Sequence, residues 1–288
     1  MIAILFGLLG SFWFGFSMIF INRGLLAVDY FRGLLINLGV NSLFLWIYVL
    51  LSGDKIDLLV PANLIFVGIG IFVPGGARFF IIKGVQRLGA SISSCLVNTT
   101  SLFAILMAIA FLGERPTPTN ILGALSIVAG IVSLSWRGAT KTWRTVDLVL
   151  PLSGALLFAA RDNLARFGVL QIDAPVLGAT ITATTSFVTM ALMYWGYGEK
   201  KPLPETALRG FTYFSAAGFV NFLSYVFIFT AFSLERVSLI SPLVNSSSLF
   251  VLLLTPLFLK DVETLTARKV SATLLVILGV FLISWEKL

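Results

Sequence analysis

The residues best able to do chemistry in this chain stand together in the run FAARDNLARF, where Arg161, Asp162, Asn163 and Arg166 interrupt an apolar stretch spanning 146–169. Ionisable groups are costly inside a bilayer, so each needs a functional or structural reason. Asp162 and Arg166 are four apart and share a helix face, which predicts a pair between them and leaves Arg161 without a carboxylate of its own. Arg78 is a second deep guanidinium. Arg78 and Asp162 each lie a few positions past the centre of spans that run in opposite directions, so their heights differ by roughly 9 Å and a direct pair requires both side chains stretched. Two guanidiniums against one carboxylate predict a net positive cavity, and guanidinium forks suit carboxylate and phosphate oxygens. The expected partner is a small-molecule substrate with an anionic group, zwitterions such as amino acids included. The alternative is a closed network of Arg78, Arg161 and Asp162 that only specifies packing.

Other polar groups come in two copies. Ser91, Ser94, Asn98 and Ser101 are matched 147 positions on by Ser238, Ser241, Asn245 and Ser248, each set lining one helix face. They read either as small residues for helix packing or as the wall of a central path. Pro74, Gly75 and Gly76 predict a local helix break that serves as a hinge, with a plain kink as the alternative. In the second copy Asn221 replaces Pro74 and Tyr225 replaces Arg78. Trp13, beside Ser11 and Ser17, is a candidate wall for an apolar substrate part. Asn37 and Asn41, one helical turn apart, are further cavity candidates. Asp162 is the only deep carboxylate, so coupling to protons, if present, falls to it; no cofactor is expected.

The elements that must carry these residues are membrane helices. Mean hydropathy is +1.00, and 58% of the 288 residues are hydrophobic against 11% charged, less than half the charged share of a soluble domain, about 25%. Apolar runs of roughly bilayer length occur near 1–21, 31–51, 64–86, 90–112, 119–136, 146–169, 175–197, 208–233, 238–260 and 268–285. LVNTTSLF at 96–103 returns as LVNSSSLF at 243–250, so residues 1–140 and 141–288 read as two copies of one unit. An odd number of spans per unit turns the second copy upside down, the architecture of secondary transporters. The fold class expected is therefore all-α integral membrane, ten transmembrane helices as two inverted five-helix repeats around a central cavity. The first run lacks a basic leader and a small-residue cleavage site, and it has a partner in the sixth span, so it reads as a helix of the bundle.

Absences narrow the function. With no His and one Cys, Cys95, imidazole metal sites and His-based triads are excluded, and no phosphate-binding GxxxxGK[ST] loop is present. An enzyme is not expected. The net charge of +7 is spread over helix ends with no long basic cluster, which argues for a lipid bilayer partner and against nucleic acid. Counting Lys and Arg in the loops places both termini away from the cytoplasm. The expected assembly is a monomer or homodimer.

The segment from Arg78 to Trp136, with FLGE at 111–114 before a Gly-rich span, resembles EamA-type members of the drug/metabolite transporter superfamily, and FLKD at 258–261 is the counterpart in the second copy. That resemblance implies ten helices in two inverted repeats, spans 5 and 10 peripheral, and alternating access to a central cavity. It also implies amino acids, other metabolites, sugar phosphates or drugs as substrates, often exported. It suggests a bacterial cytoplasmic membrane and both termini inside, against the charge count. A lipid or lipid-linked metabolite translocase and a non-transporting assembly subunit are the alternatives.

Overall fold

The computed structural model describes residues 1–53, 56–73, 77–88, 93, 96–135, 144–197, 205–258 and 267–285. Among these residues there are twelve α-helices and no strand. The first half supplies α1 (Ile2–Gly24), α2 (Tyr30–Ser52), α3 (Asn63–Phe72), α4 (Arg78–Leu88), α5 (Thr100–Leu112) and α6 (Pro118–Ser135). The second supplies α7 (Val149–Val169), α8 (Pro175–Tyr197), α9 (Ala207–Leu234), α10 (Val237–Asn245), α11 (Ser247–Phe258) and α12 (Ala267–Trp285). Among the described residues, five segments are long and apolar enough to cross a membrane: Ile2–Gly24, Tyr30–Ser52, Val146–Val169, Pro175–Gly196 and Ala207–Leu234.

Local chemistry sets the helix ends. Asp29 caps α2 by accepting from the Arg32 N–H at 3.1 Å, satisfying one of the donors that a helix start leaves orphaned. Gly53 and Gly113 follow α2 and α5 with φ of 73° and 64°, the left-handed conformation that closes a helix without a Cβ penalty. Pro116 and Pro118 then prevent α5 from continuing, and Pro118 opens α6, where its missing N–H costs nothing.

One expected helix is two. The run 238–260 breaks between α10 and α11 at Ser246, and the first half turns at Asn98 and Thr99 before α5 begins. The repeated LVN motif is thus a helix interruption in both halves. Its hydroxyls take up freed carbonyls: Ser246 Oγ donates to Leu243 O, Thr99 Oγ1 to Leu96 O and Thr100 Oγ1 to Val97 O, each at 2.6 Å. Irregular backbone at membrane depth requires such satisfaction. The Pro74–Gly76 hinge, the boundary at 140/141, Ser91, Ser94 and Cys95 lie outside the described residues.

Most of the larger helix contacts recur when the two halves are exchanged. α1 rests on α9 as α7 rests on α3 and α4; α1 meets α11 as α7 meets α5; α2 meets α9 as α8 meets α3; α2–α8 and α6–α12 are their own mates. The fit is equivalent too. Phe66 fills a notch where a Cβ at Gly168 or Gly178 would stand 2.5 Å from its ring, and Phe214 fills the matching notch at Gly24 (2.7 Å) and Gly33. At the periphery α6 and α12 cross backbone to backbone, a Cβ at Gly123 meeting the Gly279 carbonyl oxygen at 2.7 Å; small residues allow such approach where lipid offers no hydrophobic drive.

Candidate functional site

The polar run of the sixth apolar segment is placed by α7, whose buried Gly154, Ala155 and Ala159 let neighbouring helices come close. Arg161 folds back onto its own neighbour: Nε and Nη2 both donate to Asp162 Oδ1, at 3.0 and 2.7 Å. Asp162 is fully buried, while a quarter of the Arg161 side chain remains accessible. The second Asp162 oxygen accepts from Ser241 Oγ on α10 at 2.7 Å. Arg161 lies 5.2 Å from the Phe158 ring centre, within the range of a cation–π contact.

This corrects the pairing expected from helix spacing. Arg166 does not pair with Asp162; its Nη1 donates to the Phe232 carbonyl, one of the last four of α9, which no intrahelical donor reaches. Nor is Arg161 left without a carboxylate. The described wall therefore holds one guanidinium matched by one buried carboxylate, and the expected positive excess rests on Arg78, whose side chain lies outside what is described. Three N–H groups of Arg161 remain beyond the Asp162 pair.

Two adjoining cavities of about 230 Å3 and about 90 Å3 occupy the bundle centre, and Phe14, Phe158, Arg161, Thr182 and Tyr225 line both. The larger sits on the internal symmetry: Phe14 faces it with its mate Phe158, Val97 with Val244, Asn98 with Asn245, and Thr100 with Ser247. Each helix break thus delivers an asparagine to a central space. Tyr225 stacks on Phe229, ring centres 5.9 Å apart, along one side.

The smaller cavity is lined by α2 more than by any other helix. Ser17 Oγ donates to Asn221 Oδ1 at 2.7 Å, and Asn221 Nδ2 donates to Asn37 Oδ1 at 3.0 Å. Asn37 and Asn41 line the same space at 2% and 1% exposure. Among the described residues, Asn37 Nδ2 and both amide atoms of Asn41 have no hydrogen-bond partner. Each such group costs about 1–3 kcal/mol when left unmade.

The structure thus brings Arg161, Asn98, Asn245, Tyr225, Asn221 and Asn37 to one central space. Asn163, Trp13 and Asp162 do not line it. Asn163 donates to the Ala104 and Ala159 carbonyls at 3.1 and 2.9 Å and tethers α7 to α5. Trp13 packs on Phe12 and Phe16, at 5.2 and 6.3 Å, one helical step away from the cavity that Phe14 faces. Asp162 reaches the site only through Arg161. Of the stripes, Asn98 and Asn245 face the cavity, Ser241 holds Asp162, and Ser101 and Ser238 are buried with unpaired hydroxyls among the described residues. Phe14 and Phe158 were discoverable, since the two halves align them; Thr182 carries no such signal.

A third, outer pocket of about 600 Å3 lies where α5, α7 and α10 end or begin, with Glu114, Arg115, Arg166 and Arg236 on its wall. Here Glu114 shows its role: its two oxygens accept from the Val237 and Ser238 N–H groups at 2.7 and 2.9 Å. A carboxylate on the first N–H groups of α10 satisfies orphan donors and complements the helix dipole. Arg236 Nη1 adds a bond to the Arg115 carbonyl at 3.0 Å.

Comparison with known proteins agrees with the two-unit architecture. The family model described as the EamA-like transporter family matches residues 1–136 and again residues 147–285. A solved crystal structure superposes with a TM-score of 0.79 over 99% of this chain and 96% of its own, at 16% identity, a likeness that bears on fold alone. No curated protein matches.

Proposed function

Since this chain belongs to the EamA-like transporter family, a multi-pass membrane protein family of solute carriers, we propose that it is a secondary active transporter of a small anionic metabolite. Its ten apolar segments span the bilayer as two inverted five-helix repeats, and substrate is reached alternately from each side. The exchange symmetry of the helix contacts supports that arrangement, because an odd number of spans per unit makes the second copy run the other way. One observation carries the functional reading: a central cavity flanked by the symmetry-related Asn98 and Asn245 has Arg161 on its wall. A guanidinium with free N–H groups in a largely apolar space recognises carboxylate or phosphate oxygens. The two helix breaks supply flexible joints at the cavity, so that rocking of α5 and α10 opens one mouth while closing the other.

The test is a thermal-shift screen of the purified protein against carboxylates and phosphorylated metabolites, repeated on Arg161→Ala. A ligand that stabilises the native protein and not the variant identifies site and chemistry together, since a bound ligand raises stability by mass action. If every anion tested left the unfolding midpoint unchanged, or if stabilisation survived in Arg161→Ala, the anion reading would be wrong.

A further inference from the structure

We propose that the smaller central cavity is a polar subsite for an uncharged donor–acceptor group of the substrate, so that the preferred cargo is a carboxylate bearing a hydroxyl or carboxamide, not an ammonium. The inference rests on the anion reading of Arg161 and adds the partner group beside it. The hydrogen bonds from Ser17 to Asn221 and from Asn221 to Asn37 run in one direction. They engage the carbonyl oxygens of Asn221 and Asn37 once each and leave the Asn37 Nδ2 as a donor. Asn41 adds a free donor and a free acceptor. These groups are buried, and Asn37, Asn41 and Asn221 line a space of about 90 Å3, enough for a few heavy atoms or waters.

The same inventory selects against an amine. Arg161 is the one charged residue lining this cavity among the described residues. The Asp162 carboxylate beside it has both oxygens engaged, by Arg161 and by Ser241. An ammonium is a donor only, so it leaves the Asn37 Nδ2 unanswered and finds no counter-charge. A hydroxyl answers donor and acceptor together. Sites built to hydrogen-bond a hydroxyl reject analogues that lack it strongly, because the buried polar groups are then left unpaired.

The experiment uses the full-length protein in detergent and two matched sets of probes: lactate, alanine and propionate, and 3-phenyllactate, phenylalanine and 3-phenylpropionate. The second set suits the aromatic wall of the larger cavity. Thermal unfolding and titration calorimetry are run on the native protein, Arg161→Ala, Asn41→Leu and Asn41→Ser. The hydroxy acid of a set is expected to bind roughly tenfold or more tightly than its amino and deoxy counterparts. Asn41→Leu is expected to erase that preference while still binding the deoxy acid, and Asn41→Ser, which keeps a hydroxyl, to retain part of it. The unliganded midpoint of Asn41→Leu should be no lower than that of the native protein, since two orphaned atoms are removed; a fall of several degrees would show that Asn41 is satisfied within the fold and overturn the subsite. Equal binding of hydroxy, amino and deoxy acids, still abolished by Arg161→Ala, would mean that the cavity holds only water, leaving the anion reading intact. No binding of any carboxylate would remove both.

Discussion

At the scale of the residue, the Arg161–Asp162–Ser241 contact joins a group that faces the cavity to one that does not. Asp162 is fully buried and shares its oxygens between α7 and α10. Replacing it by Asn leaves Arg161 without a counter-charge, and we expect the unfolding free energy to fall by about 3 kcal/mol, the low end for breaking a buried pair, because part of Arg161 still reaches the cavity. Chemical denaturation in micelles measures this. If coupling is to protons, the same variant loses drive by a pH gradient yet retains substrate exchange in liposomes; full gradient-driven uptake by Asp162→Asn would eliminate Asp162 as the coupling group. The value of Arg161 was legible in the sequence because a charge in lipid demands a reason. Its partner was not. Helix spacing ranks residues four apart as neighbours, but a long guanidinium stem can bend back to the adjacent carboxylate, and Arg166 was drawn away by an orphaned carbonyl at the end of α9. The orphaned amides of Asn37 and Asn41 were equally hidden, since one helix face says nothing about what stands opposite.

At the scale of the element, the two helix interruptions and the cap on α10 belong together. α10 has only nine residues, so its first-turn N–H groups weigh heavily, and Glu114 satisfies two of them from another helix connection. Glu114→Ala is expected to cost about 1–2 kcal/mol, read as a lowered unfolding midpoint, with Glu114→Gln recovering part of it. An unchanged midpoint in Glu114→Ala would show the cap to be ornamental. Gly168 answers to a different physics: a methyl group there must displace Phe66, and overpacking of this kind costs about 1–3 kcal/mol. Gly168→Ala should therefore unfold earlier than the native protein, and Phe66→Leu in the same chain should restore some of the loss; a Gly168→Ala protein as stable as the native one contradicts the notch. The FLGE motif announced an acidic residue at the end of the fourth span but not its contact 123 positions away with Val237. The break at Ser246 was not legible either. No Gly marks it, and Ser and Thr inside an apolar run read as packing residues until their hydroxyls are seen taking their own carbonyls.

At the scale of the whole molecule, duplication explains why so much of the architecture is legible: most of the larger helix contacts have a mate in the other half, and the matched LVN motifs mark the two sides of one cavity. At one end of the bundle, the connection after α5 is held to the start of α10 through Glu114 and through the Arg236–Arg115 bond. If transport proceeds by alternating access, that end must separate once per cycle, and Arg115 and Arg236 must move apart. Cysteines placed at 115 and 236 in a Cys95→Ala background should be joined readily by a short bifunctional thiol reagent when no substrate is present. The joined protein should still show ligand-induced stabilisation if the opposite mouth admits solute, yet catalyse no net transport or exchange in liposomes, and a cleavable linker should allow recovery on reduction. Complete cross-linking with undiminished exchange would mean that this end is a fixed part of the scaffold, and that the moving parts lie elsewhere in the bundle.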